Sequence, residues 1–243
     1  AQAEEAVQFD PFADFFTMYD GSAAAVRKIR PRLALLGGRS FTSGEADFCG
    51  AGQFQDWTSG SVYSNAAISE PNHPGINEYG VGTGWAGAAV PNAYAFMVGT
   101  GRILLLSILK TGPDLSTSGE RYALHAGLHN DQHVADPLYG ITVRYRDDIN
   151  GGRWQLRAAA GGSETVADTG VMVAANAWYR IELDVSAVGA TASVNGSSPV
   201  SVTSNIALYD EMQMIGGEMV KPAGSETRNF YMDYAGFIQV LSR

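Results

Sequence analysis

WQLRAAA (154–160), ETVADTG (164–170) and WYRIELDV (178–185) alternate apolar and polar side chains with a period of two, and each is about one strand long. The pattern continues outward through ATASVNG (190–196), PVSVTSN (199–205), MQMIGGEM (212–219) and FYMDYAGFIQV (230–240), cut by Gly, Asn and Pro. A two-residue period sends successive side chains to opposite faces, so each piece buries one face and wets the other. No helical period runs through this third of the chain. Short strands separated by turn signals predict an all-β protein, an antiparallel β-sandwich or jelly roll.

Upstream the same reading holds back to about residue 51. SVYSNAAI (61–68) alternates, EPNHPG (70–75) is a turn, and INEYGVGTG, WAGAAV and AYAFMVG follow as strand-like pieces. RILLLSILK (102–110) is almost continuously apolar, which predicts a central strand covered on both faces. RYALHAGLH (121–129) is another central strand, and NDQHVADP (130–137) is a polar loop. In YGITVRYR (139–146), Ile141, Val143 and Tyr145 take one face and Thr142, Arg144 and Arg146 the other; DDINGG (147–152) then turns the chain. No repeat of fixed period emerges, which disfavours a solenoid or propeller.

Residues 1–50 differ and are read as an N-terminal arm, irregular and partly helical, ahead of a sandwich domain at 51–243. QFDPFADFFTMYD (8–20) is rich in Phe, and Asp10 with Pro11 can start a short helical turn. Such an arm lacks a core of its own and packs either on the sandwich or on a neighbouring subunit.

The formal charge of −9 opposes binding to nucleic acid or to an anionic membrane surface. The basic run Arg27, Lys28, Arg30 and Arg32 reads as a solvated or salt-bridged segment. One cysteine, Cys49, permits no disulfide within the chain and fits a reducing compartment; it has no His or Asn partner pattern and reads as a small apolar filler. No apolar run reaches the ~20 residues of a membrane span. No leader pattern is read, and Ala1 fits either Met removal or cleavage after a small residue.

Glu182 and Asp184 form a strand-borne pair of acids, as jelly-roll glycoside hydrolases use, but Ser186 stands where the third same-face acid would be needed. Solvent-facing strand acids are the expectation. His125, His129 and His133 are four apart, and a strand ending near His129 is expected to keep them off a single face. His129, Asp131, His133 and Asp136 in one loop are the metal alternative. Asp147, Asp148 and Asn150 are candidate calcium ligands, but a hairpin turn explains them better. GVGTGWAG (80–87) lacks the lysine and helix of a phosphate loop. No cofactor is therefore expected, with Ca2+ the weaker alternative. Trp57, Trp85, Trp154 and Trp178 are candidate sugar-stacking rings. Trp178 begins a strand and is expected in the core; Trp57 and Trp85, near turns, are the surface candidates for a glycan.

An ordered set of motifs adds a resemblance. NHPGINEYGVGTG (72–84), ALHAGLHND (123–131), the run from YGITVRYRD through WYRIELDV (139–185), ASVNG with TSNI (203–206), and NFYMDYAGFIQ (229–239) resemble the concanavalin-A-like (laminin-G-like) jelly-roll domains of tailed-bacteriophage virion structural proteins. The resemblance covers about residues 55–241. It departs at Ala192, Ser193 and Val194, where the family has an aromatic before NG, and at Ala207, where it has Pro. It implies a virion component and no catalytic residues. The expectation is thus a non-enzymatic bacteriophage structural protein, a capsid decoration or head fibre that aids host attachment, located in the virion. It would self-associate, as a trimer, and meet the major capsid protein through its arm. The alternatives are a tail-fibre receptor-binding or lectin-like carbohydrate-binding module on a host-surface glycan, and a polysaccharide-degrading enzyme on the same fold.

Overall fold

The computed structural model describes residues 40–47, 55–70, 73–89, 98–99, 101–130, 135–208 and 214–241. The basic run at 27–32, Cys49, Asp131 and His133 lie outside them.

Thirteen strands run through the described residues. The first four are β1 (Ser40–Asp47), β2 (Gln55–Glu70), β3 (His73–Ala89) and β4 (Gly101–Thr111). Next come β5 (Ala123–His129), β6 (Gly140–Tyr145), β7 (Arg153–Ala160), β8 (Ser163–Met172) and β9 (Trp178–Ser186). The last are β10 (Gly189–Val194), β11 (Val200–Val202), β12 (Met214–Lys221) and β13 (Arg228–Leu241). Every strand pair is antiparallel. The stretches expected at INEYGVGTG and WAGAAV are one strand, β3, and most of AYAFMVG lies outside the described residues. Strand pairing already includes Ser40, inside the stretch expected as the arm.

Hydrogen bonds join the strands in the order β11-β10-β9-β4-β13-β3-β12-β5-β6-β7-β8, with β1 beside β13 and β2 beside β3. This ribbon folds over on itself. Strand β9 lies against β6, β10 against β7 and β8, and β4 against β5 and β12, without being their hydrogen-bonded neighbours. The result is two stacked layers, one of β11-β10-β9-β4-β13 and one of β3-β12-β5-β6-β7-β8. Strand β13 belongs to both turns of the ribbon: Arg228–Met232 pair with β3, while Phe230–Leu241 pair with β4. A bulge between Met232 and Tyr234 lets it change direction.

The core lies between the layers, where the alternation predicted it. Tyr179, Ile181, Leu183 and Val185 of β9 are buried, while the residues between them are half-buried on the outer face. Opposite stand Ile141 and Val143 of β6 and Leu156 of β7. Trp154 is fully buried, edge-on to Tyr179 at 5.2 Å and tilted against Tyr145 at 6.0 Å. Strand β4 is covered on both faces as its composition predicts: Leu105 and Leu109 join the core, while Leu104, Leu106 and Ile108 point the other way and are still buried. Between β7 and β8, Gly161 and Gly162 take φ of 59° and 81°, the left-handed pair that a two-residue hairpin turn needs and side chains resist.

Candidate functional site

The outer face of the second layer carries a layer of buried polar side chains. Alternation along β5, β6 and β7 sends Leu124, Val143 and Leu156 to the core and His125, Arg144 and Gln155 to this face. Register aligns the latter in one row, His125 opposite Arg144 and Arg144 opposite Gln155. The same row runs through Glu218 of β12 and Gly87 of β3 to position 57 of β2. The neighbouring row places Trp85 opposite Val220 and Ser59. Positions 57 and 85 are therefore diagonal neighbours inside paired strands, not at turns as expected. Trp85 is half-buried.

Residues 135–139 cross this face as a strap. The Ala135 carbonyl accepts a hydrogen bond from His125 Nε2 at 2.8 Å, and the Pro137 carbonyl accepts one from Arg157 Nη2 at 2.8 Å. The Asp136 carboxylate bridges two guanidiniums, one oxygen to Arg144 Nη1 and the other to Arg146 Nη1. From β8, Glu164 accepts from Arg157 Nε at 2.7 Å and from Arg144 Nη1 at 3.4 Å. Burial alone would raise the Glu164 pKa; the hydrogen bond from Arg157 and the charges of both arginines outweigh it and hold the carboxyl below its ordinary range.

His125 and His129 share this face, against the expectation that the turn would separate them. An even spacing along a strand preserves the side, and their rings lie 6.3 Å apart, both buried. His129 Nε2 is 3.6 Å from Glu218 Oε2. Burial holds the His125 pKa well below its ordinary 6.5, helped by His129, Arg144 and Arg157. A neutral ring that donates from Nε2 to a carbonyl must accept at Nδ1, where the Thr142 hydroxyl stands at 3.3 Å.

A pH effect follows. Above 6.5 the ring is neutral folded or unfolded. Below 6.5 the unfolded chain takes up a proton that the folded chain refuses, so stability falls by about 1.4 kcal/mol per pH unit until the folded pKa is reached. Between pH 7 and 5 stability therefore declines. Urea midpoints measured across this range should fall more steeply for the wild type than for His125→Gln, whose amide can still donate to Ala135; coincident slopes would contradict a buried neutral ring. Glu164 acts in a separate, more acidic window: its contribution is present above its unfolded pKa and is lost as pH falls through the lower folded value.

On the outer face of the first layer, Trp178 is half-buried at the start of β9 and does not plug the core as expected. The tip of the β2–β3 hairpin folds over it. His73 stacks on the Trp178 ring at 3.8 Å with an interplanar angle of 10°, and the Trp178 Nε1–H donates to Glu70 at 3.1 Å. Lys110 sits 5.7 Å from the Trp178 ring and 5.3 Å from that of Tyr231 while paired with Glu70. His73 Nδ1 is 2.8 Å from Asp233, the residue at the β13 bulge. One face of the Trp178 ring is thereby occupied by protein.

Glu182 and Asp184 lie on that outer face, opposite the core, as expected. Glu182 pairs with Arg180 at 2.6 Å and accepts from Ser193 at 2.9 Å, and Asp184 pairs with Arg102. The hairpin acids are engaged by arginines: Asp147 with Arg121 and Ser116, Asp148 with Arg146 and Arg121. Asn150 reaches Asp168 of β8 instead. Among the described residues no three His, Cys, Asp or Glu side chains converge as ligands of one cation.

No family model matches the chain, and no curated protein matches it. Its backbone is similar to several solved structures. A protein of unknown function from Shewanella oneidensis MR-1 gives a TM-score of 0.61 at 11% identity, covering 84% of this chain and 89% of that one. The Lotus tetragonolobus seed lectin gives 0.52 at 7% identity, covering 83% and 100%. The carbohydrate recognition domain of Emp47p gives 0.50 at 9% identity, covering 81% and 94%. At these identities the likeness establishes the fold, a lectin-like (concanavalin-A-like) β-sandwich.

Proposed function

We propose that the chain is a non-enzymatic, lectin-like module that binds a carbohydrate through the outer face of its second layer. The observation that carries this reading is the register of β2 and β3, which sets positions 57 and 85 diagonally on one face of the layer. Two tryptophan positions so placed suit the apolar face of a sugar ring. The pairing of Glu182 and Asp184 with arginines supports a binder over a hydrolase, since a glycosidase acid must be open to its substrate. A glycan array followed by titration of the hits tests it. Trp57→Ala and Trp85→Ala are each expected to weaken binding about tenfold or more while the fold is retained. An array without hits, or hits indifferent to both substitutions, would overturn the reading.

The ordered motif set from NHPG (72–75) to the closing strand favours a setting for such a module: display on a bacteriophage particle, as a capsid decoration, head fibre or tail-fibre component, anchored to the capsid by the residues of the 1–50 arm that precede β1 and assembled as a trimer. Labelled density on purified virions and sedimentation of the free protein test this. A stable dilute monomer would count against intrinsic trimerisation.

A further inference from the structure

Two guanidiniums lie beneath the 135–139 strap, and both are more than nine-tenths buried: the Arg144 side chain is 3% exposed and that of Arg157 is 2%. Each retains one buried N–H without an acceptor, Nε of Arg144 and Nη1 of Arg157. A buried charged donor left unmatched is costly, and native interiors seldom keep one without a ligand or water to take it. Burial pushes the Arg144 pKa below its ordinary value even though Asp136 and Glu164 oppose the shift. The Arg144 charge is thus under-compensated where it lies.

The two carboxylates that do meet them stand on the solvent side: Asp136 and Glu164 are each 41% exposed. Asp136 belongs to the strap and not to the sheet. It reaches the arginines from outside, one oxygen to Arg144 and one to Arg146. One carboxylate thus bridges two guanidiniums through charge-assisted hydrogen bonds, an arrangement that an incoming carboxylate can reproduce.

We infer that Arg144 and Arg146 form a carboxylate-binding site for an acidic sugar, and that Asp136 occupies this site as a built-in competitor. The inference rests on the glycan-binding reading and names the ligand class: a saccharide bearing a carboxylate, of the uronic-acid kind. Arginine suits this task better than lysine because it stays charged when buried and is more weakly hydrated than an ammonium. The Gln155 side chain, which accepts from Arg144 Nη2 at 2.8 Å, and the Pro137 carbonyl, which accepts from the neighbouring Arg157, hold the guanidiniums in place. A ligand carboxylate would displace the Asp136 side chain and meet the same arginines, so apparent affinity is reduced by the fraction of molecules in which Asp136 is seated.

The test uses the full chain and two probes, an oligogalacturonate and its fully methyl-esterified counterpart, titrated calorimetrically at low and moderate salt. The acid is expected to bind at least about tenfold more tightly than the ester, with the advantage shrinking as salt rises. Asp136→Ala is expected to tighten acid binding by about fivefold or more without changing the ester. Arg144→Gln should abolish the difference between the probes; because removing a buried guanidinium can unfold the layer, the Asp136 variant, at an exposed position, carries the decision. Equal affinity for acid and ester, or an Asp136→Ala variant that binds the acid no better than the wild type, would overturn the site. If a neutral glycan still binds in a Trp85-dependent way, only this site falls. If neither probe nor any arrayed glycan binds wild type or variant, the glycan-binding reading falls with it.

Discussion

Trp154→Ala is expected to destabilise the protein by about 3–5 kcal/mol, the usual result of emptying a large aromatic site in a packed core. Trp154 is fully buried and touches both layers, edge-on to Tyr179 of β9 and tilted against Tyr145 of β6. Its neighbours belong to different strands held by their own ladders, so they cannot collapse inward to fill the space. For a domain of this size the loss corresponds to a drop in Tm of roughly 6–20 °C. Thermal and urea melts check it, with Trp154→Phe as a smaller truncation that should cost less. An unchanged midpoint would mean that the side chain is not at the centre of the core.

The second large effect is expected from adding a single carbon at Gly127. This residue, in the middle of β5, has φ of +146°, where side chains are strained. A Cβ there would sit 2.4 Å from the Ile141 carbonyl oxygen and 2.9 Å from Thr142 Cα, both backbone atoms of β6 that cannot step aside without breaking their ladder. Strain and overpacking each contribute about 1–3 kcal/mol, so Gly127→Ala should lose roughly 3 kcal/mol or more. The β5–β6 pair also carries His125 and Arg144, so loosening it should raise amide exchange on the outer face first. A Gly127→Ala protein with wild-type stability and exchange would refute this close packing.

Periodicity made the layers legible. Trp178 through Ser186 alternates so cleanly that the buried set, Tyr179, Ile181, Leu183 and Val185, could be written down from the residues alone. Strand β4 was legible for the opposite reason, since a run without polar interruption needs cover on both sides. The polar layer was half visible. Thr142, Arg144 and Arg146 could be assigned to one face of their strand, but their meeting with Arg157 and Glu164 depends on registers across β6, β7 and β8 that no single strand encodes. His125 and His129 were separable on paper only by treating the turn as the deciding feature; the even spacing on the strand decides it instead. Trp178 was misplaced because its partner Glu70 stands 108 residues away, on a hairpin tip whose path over the sheet is a matter of tertiary packing. Glu218 gave no signal at all, since a lone acid between Gly217 and Met219 reads as a solvent-facing position, whereas it is fully buried beside His129.

The pairing of β1 with β13, Ser40 against Leu241 through Asp47 against Tyr234, joins segments about 200 residues apart in one ladder. A nascent chain leaving the ribosome cannot complete that ladder until Leu241 has cleared the exit tunnel. Synthesis at about 5–20 residues per second therefore imposes a waiting period of at least ten seconds or so, during which the early strands stand with an open edge. Such an edge invites pairing with neighbouring chains on the same message, so the yield of correctly formed protein should depend on translation speed and on holding chaperones more than final stability alone would suggest.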